Sequence, residues 1–85
     1  MKLKHKFARS LYCARTELNY TQDEVAEAVS ITKRWYQKIE SGARLPGAVT
    51  MLRLILFLGI SIENFREEAK LNVPISSNKR KLLLK

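Results

Sequence analysis

The segment "ITKRWYQKIESG", residues 31–42, sets Lys33, Arg34, Gln37 and Lys38 within six residues. Side chains of these types suit one chemistry: hydrogen bonds and positive charge offered to a polyanion that also carries acceptors. On a helix of about 100° per residue, with Tyr36 at zero, Ile39 and Glu40 fall within about 60° of it. Arg34, Lys38 and Ser41 land on the far side, with Gln37 between. Such a helix seats Tyr36 and Ile39 in a core and presents basic and amide groups to solvent. A helix fits the major groove of B-DNA, where Arg and Lys reach guanine O6 and N7 and Gln pairs with adenine.

Elements that could hold this helix precede and follow it. Thr21 begins "TQDE", a capping box in which Thr21 caps a helix and Glu24 reaches back. Asp23 and Glu24 suit the positive end of that helix, and Val25, Ala26 and Val29 form its inner side. Thr32 is a cap candidate for the next helix, which runs from about Lys33 to Ser41 and stops at Gly42. Two helices with so tight a turn must cross steeply, and Ala26 supplies a small side chain for the crossing. That is a helix-turn-helix arrangement, with the first helix bracing the second across the DNA backbone.

The rest of the chain completes a bundle. Leu3, Phe7, Leu11, Ala14 and Leu18 recur at three- and four-residue steps and predict an amphipathic first helix, with Asn19 suited to its C-terminal end. "ARLPG" is a loop, because the residue before Pro46 is pushed out of the helical region. Val49, Leu52, Leu54, Ile55, Leu56 and Leu58 mark an apolar fourth helix closed by Gly59, and "SIENFREEA" predicts a shorter fifth one capped by Ser61. From Leu71 the periodicity is lost. The expectation is an all-α, compact bundle of about five short helices: a domain over 1–70, a helix-turn-helix at about 21–41 and a basic tail over 71–85.

Composition narrows the function classes. Apolar residues make up 46% of the 85, enough for one small core without staples. Cys13 is the single cysteine, so no intramolecular disulfide forms, which fits a reducing cytoplasm. No secretory signal follows the basic N-terminus, and the most apolar run, residues 51–60, is far short of the roughly 20 residues of a membrane span. The net charge of +8 falls in blocks: five basic groups and no acids over 1–16, four acids and no bases over 17–29, then Lys33, Arg34, Lys38, Arg44 and Arg53 against Glu40 over 30–58. Blocks of basic charge suit a polyanion-binding surface.

No catalytic or metal constellation emerges. Cys13 adjoins no His or acid suited to a catalytic thiol and reads as packed. His5 has no partner at metal-ligand spacing and reads as solvated. Glu17, Asp23, Glu24 and Glu27 sit where helix starts and a solvated face want acids, and three glycines make no phosphate-cradling loop. The expectation is a non-enzyme without cofactor or metal.

Taken together, Gln22, Ala26, "IESG" and Pro46, in the stretch "ARTELNYTQDEVAEAVSITKRWYQKIESGARLPGAVTMLRLILFLGISIENF", resemble the phage-repressor (Cro and XRE-like) helix-turn-helix family over roughly residues 7 to 66. The resemblance implies a lambda-repressor-like DNA-binding fold. It implies that Lys33, Arg34 and Lys38 face base edges, with Gln37 at their margin. Gln22 would touch the phosphate backbone and support the first side chain of the recognition helix. Thr32 and Trp35 would meet phosphates or sugars, although Trp35 also sits where it could cover Ile39. Arg44 would be a further phosphate contact, and Arg15 with Glu40 would form a structural ion pair tying the first helix to the third. Where the family usually has Gly in the turn this chain has Ser30, which either takes a strained left-handed conformation or relaxes the turn.

The function expected is a sequence-specific regulator of transcription, a repressor acting as a homodimer on an inverted repeat of double-stranded DNA. Surplus apolar residues such as Leu54, Phe57, Ile62 and Phe65 would supply the dimer contact. Control would then come from abundance, proteolysis or another protein. The rival expectation is an antitoxin-like module that neutralises a partner protein, with DNA binding secondary. Both ends of the chain stay open. "MKLKHK" is either an arm that wraps toward DNA or a disordered basic end, and "LNVPISSNKRKLLLK" is disordered, adds phosphate contacts or docks on a protein partner.

Overall fold

Four apolar stripes and four chain reversals account for the architecture. The computed structural model describes residues 2–68, which form α1 (Lys2–Glu17), α2 (Gln22–Ala28), α3 (Lys33–Glu40), α4 (Ala48–Leu58) and a closing 3-10 turn (Ile62–Phe65). No strand occurs among the described residues. α2 packs on α3, and α1 packs on both α3 and α4. The core they enclose contains Phe7, Leu11, Val25, Val29, Tyr36, Ile39, Leu54, Leu58 and Phe65. Phe65 is held edge-to-face against Phe7, with ring centroids 5.8 Å apart.

Every helix ends the same way. A residue in the left-handed region follows its last turn: Asn19 at φ 61°, Ser30 at 61°, Gly42 at 84° and Gly59 at 67°. The amide of the next residue then reaches back five positions, from Tyr20 to Arg15, Ile31 to Ala26, Ala43 to Lys38 and Ile60 to Ile55. This is the Schellman arrangement, in which the residue after the left-handed one also makes an apolar contact. Tyr20, Ile31 and Ile60 do so, each half-buried against the core. Gly42 also lies close under α1, where a Cβ would sit 2.9 Å from His5 Nδ1 and push that exposed ring aside.

Ser30 therefore takes the strained conformation, and the turn does not relax. A left-handed L-residue costs about 1–2 kcal/mol, so Ser30→Gly is expected to raise the unfolding free energy by about 1 kcal/mol. Urea unfolding of the two proteins checks this, and an unchanged midpoint would mean that the hydroxyl compensates the strain.

Several sequence expectations need correction. The predicted fifth helix is one 3-10 turn, because Phe65 is its sole buried anchor while Ile62 stays 64% exposed. Leu18 does not extend the α1 stripe: the helix ends at Glu17, and Leu18 lies in the reversal, 50% exposed. Cys13 is exposed on the outer face of α1 and is not packed. The basic N-terminus is neither arm nor disordered end from Lys2 onward, since α1 begins there. Leu54 and Phe65, expected at a partner surface, are core residues. The boundary expected at residue 70 and the tail 71–85 lie outside the described residues.

Candidate nucleic-acid interface

The α2–α3 unit is built from local rules. Thr21 and Glu24 close a reciprocal box: the Glu24 amide donates to Thr21 Oγ1 at 3.1 Å and the Thr21 amide donates to Glu24 Oε1 at 2.8 Å. Thr32 caps α3 with the one-sided form of this bond, its Oγ1 accepting from the Trp35 amide at 3.1 Å. Val25 and Ala26 of α2 and Tyr36 and Ile39 of α3 are buried at the crossing. With those two faces fixed, the remaining face of α3 must point outward.

That face carries Lys33, Arg34, Gln37 and Lys38, all exposed. Arg34 and Lys38 stand one turn apart and, with Thr32 and Trp35, line a shallow recess. Trp35 is half-buried and packs against the core with one side while contributing to the recess with the other. Thr32 is exposed, and so is Arg44, on the loop that follows α3. Gln22 is half-buried at the start of α2.

Two contacts join the helices at the surface. Gln37 Nε2 donates to Gln22 Oε1 at 3.1 Å, and Lys33 Nζ lies 3.4 Å from Asp23 Oδ2. Gln22 therefore supports Gln37, and the first side chain of α3, Lys33, is engaged by Asp23 instead. Asp23 was not among the site residues read from the sequence. The signal available for it was an opposite charge at the second position of α2, facing the first position of α3.

Below this surface, Arg15 and Glu40 form a bidentate pair: Nε donates to Oε2 at 2.9 Å and the guanidinium NH2 group to Oε1 at 2.7 Å. The third arm of Arg15 donates to the Tyr20 carbonyl at 2.9 Å, so one side chain ties α1, the α1–α2 reversal and α3 together. The hydrogen bond to Glu40 holds the Arg15 pKa above its ordinary value despite partial burial. Tyr36 lies beside the pair, its buried hydroxyl next to Glu40 and Arg15 but outside good hydrogen-bond geometry with either. Burial pushes the Tyr36 pKa well up, and the neighbouring Glu40 carboxylate adds to the shift.

A family model described as a helix-turn-helix domain matches residues 8–66, which run from within α1 to just past the 3-10 turn. The chain belongs to that helix-turn-helix family. No curated protein and no solved structure matches it. In a helix-turn-helix the second helix of the unit enters the major groove, and here that helix is α3. The family thus points to a DNA-binding regulator. No helix among the described residues is long and apolar enough to cross a membrane.

Proposed function

We propose that this chain is a sequence-specific repressor that binds an inverted-repeat operator in double-stranded DNA as a homodimer in the cytoplasm. The observation that carries the proposal is the division of α3: Tyr36 and Ile39 are buried, while Lys33, Arg34, Gln37 and Lys38 stand exposed along the other side. Arg34 and Lys38 serve as donors to guanine edges and Gln37 lies at their margin. Lys33 joins them by leaving Asp23, an exposed partner whose attraction is weak in water. Gln22, Thr32, Trp35 and Arg44 contact phosphates and sugars, which fixes register without reading sequence.

One such helix reads only a few base pairs, so a second copy supplies the remaining selectivity, with half-sites about one helical turn apart. Val49, Leu52 and Leu56 support this pairing: they follow one another at three- and four-residue steps on α4 and are 62%, 53% and 80% exposed. They take the place of the buried Leu54 and Phe65. Phe57 is largely occupied by stacking on Tyr20, with centroids 5.0 Å apart.

Selection of bound duplexes from a random pool tests the proposal. An enriched inverted repeat is the expected result. Binding without enrichment would leave only phosphate contact and overturn sequence-specific control. Arg44→Ala is expected to weaken binding equally for all sequences and to make the salt dependence shallower by about one unit. Affinity measured across a salt series checks this, and an unchanged slope would remove Arg44 from the interface.

A further inference from the structure

We infer that Lys33 and Asp23 together read one G·C base pair, Lys33 donating to the guanine and Asp23 accepting from the N4 amino group of its cytosine. The inference rests on the DNA-binding function proposed above and names a specificity determinant within it.

An acid stands beside the basic face of α3. Lys33 Nζ lies 3.4 Å from Asp23 Oδ2, so the first side chain of α3 meets a carboxylate carried by α2. The neighbouring acids are committed elsewhere: Glu24 accepts from the Thr21 amide, and Glu40 is paired with Arg15 below the surface. Asp23 and Lys33 are both exposed, and neither is fixed by packing.

When Lys33 turns to a guanine, Asp23 loses its counter-charge at the surface of a polyanion. A carboxylate there is repelled by phosphates and by the acceptor edges of the bases. It needs a donor, and cytosine N4 is one. In a G·C pair that amino group is hydrogen-bonded to guanine O6, about 2.9 Å away. Lys33 on guanine therefore has cytosine N4 beside it, at a spacing close to the one it keeps from Asp23. The ion pair opens onto the base pair, donor to acceptor and acceptor to donor.

Other base pairs fit less well. Reversing the pair, or putting A·T in its place, sets Asp23 against an acceptor, guanine O6 or thymine O4. Thymine in place of guanine leaves Lys33 one acceptor instead of two. Asp23 thus sharpens the choice by penalising the alternatives, at the expense of affinity for DNA in general.

The test measures affinities of wild type, Asp23→Ala and Lys33→Ala for the selected operator with each base pair placed in turn at each half-site position. Wild type is expected to prefer G·C about tenfold at one position, and Lys33→Ala to abolish that preference. Asp23→Ala should cut it to about threefold or less while preferences elsewhere persist. The same variant should bind random duplexes about threefold more tightly, the worth of one charge near the phosphates at moderate salt. N4-methylcytosine at that position replaces the N–H that faces the groove. It should weaken wild type and leave Asp23→Ala unaffected. If Asp23→Ala strengthens every duplex alike, Asp23 only repels DNA and the inference is wrong, while the proposed function stands. An Asp23→Ala protein with a lowered unfolding midpoint and unchanged base preferences would confine Asp23 to the start of α2 and fail the inference in the same way. So would equal weakening of both proteins by N4-methylcytosine, or base preferences that survive Lys33→Ala. A wild type with no preferred duplex would overturn both.

Discussion

Arg15→Ala is expected to lower the unfolding free energy by about 2–3 kcal/mol, less than the roughly 3–5 kcal/mol of a fully buried pair, because it breaks a partly buried pair from one side. The side chains of Arg15 and Glu40 are only 13% and 6% exposed, so water replaces the lost guanidinium only in part. The Glu40 carboxylate would keep only the neighbouring Tyr36 hydroxyl, and the Tyr20 carbonyl would lose its donor. The loss is large for a domain of this size, whose whole stability is on the order of 5–10 kcal/mol. Removing both charges together, as Arg15→Leu with Glu40→Leu, should recover much of it, since an apolar replacement leaves no buried charge. Urea unfolding of the single and double variants measures both. A single-variant loss below about 1 kcal/mol would show that solvent screens the pair and that packing alone holds α1 to α3.

Arg34→Ala is expected to act on binding and not on folding. Arg34 is exposed, forms no ion pair within the described domain and lines the recess on α3 with Trp35 and Lys38. A guanidinium placed there can donate two bonds to guanine O6 and N7, worth about 1–3 kcal/mol of discrimination against the wrong base. The variant should therefore lose preference at one or two half-site positions and bind the remaining sequences nearly as before. Affinities for single-base operator variants, compared between wild type and Arg34→Ala, give the answer. Equal weakening for all sequences would make Arg34 a phosphate ligand.

The parts of this structure legible in the sequence are those governed by local rules. Thr21, Glu24 and Thr32 declare helix starts through cap chemistry that needs only three or four residues. Asn19, Gly42 and Gly59 mark the ends because few residue types tolerate positive φ. The two faces of α3 follow from helical periodicity over eight residues, with Tyr36 and Ile39 too regular in their spacing to be misplaced.

Other features depended on tertiary placement. "MLRLILFL" is apolar all round apart from Arg53, so its periodicity does not tell which leucines are covered. Contact with α1 decides it, and Leu54 and Leu58 go inward while Leu52 and Leu56 stay out. Leu18 has the right spacing for the α1 stripe but lies beyond the last helical residue. The Gln22–Gln37 bond spans fifteen positions and exists only because of the angle at which α2 crosses α3. Resemblance to a family suggests which positions face DNA, but not which neighbour orients each side chain. Here Asp23 takes Lys33, and Gln22 takes Gln37.

The central claim is that α3 reads bases from the major groove. Methylation interference on the enriched duplex tests it most directly, because one reagent methylates guanine N7 in the major groove and adenine N3 in the minor groove. Wild type is expected to be blocked by N7 methyl groups at guanines within each half-site, and Arg34→Ala to lose sensitivity at one of them. Interference confined to adenine N3 would place the contacts in the minor groove and contradict the claim.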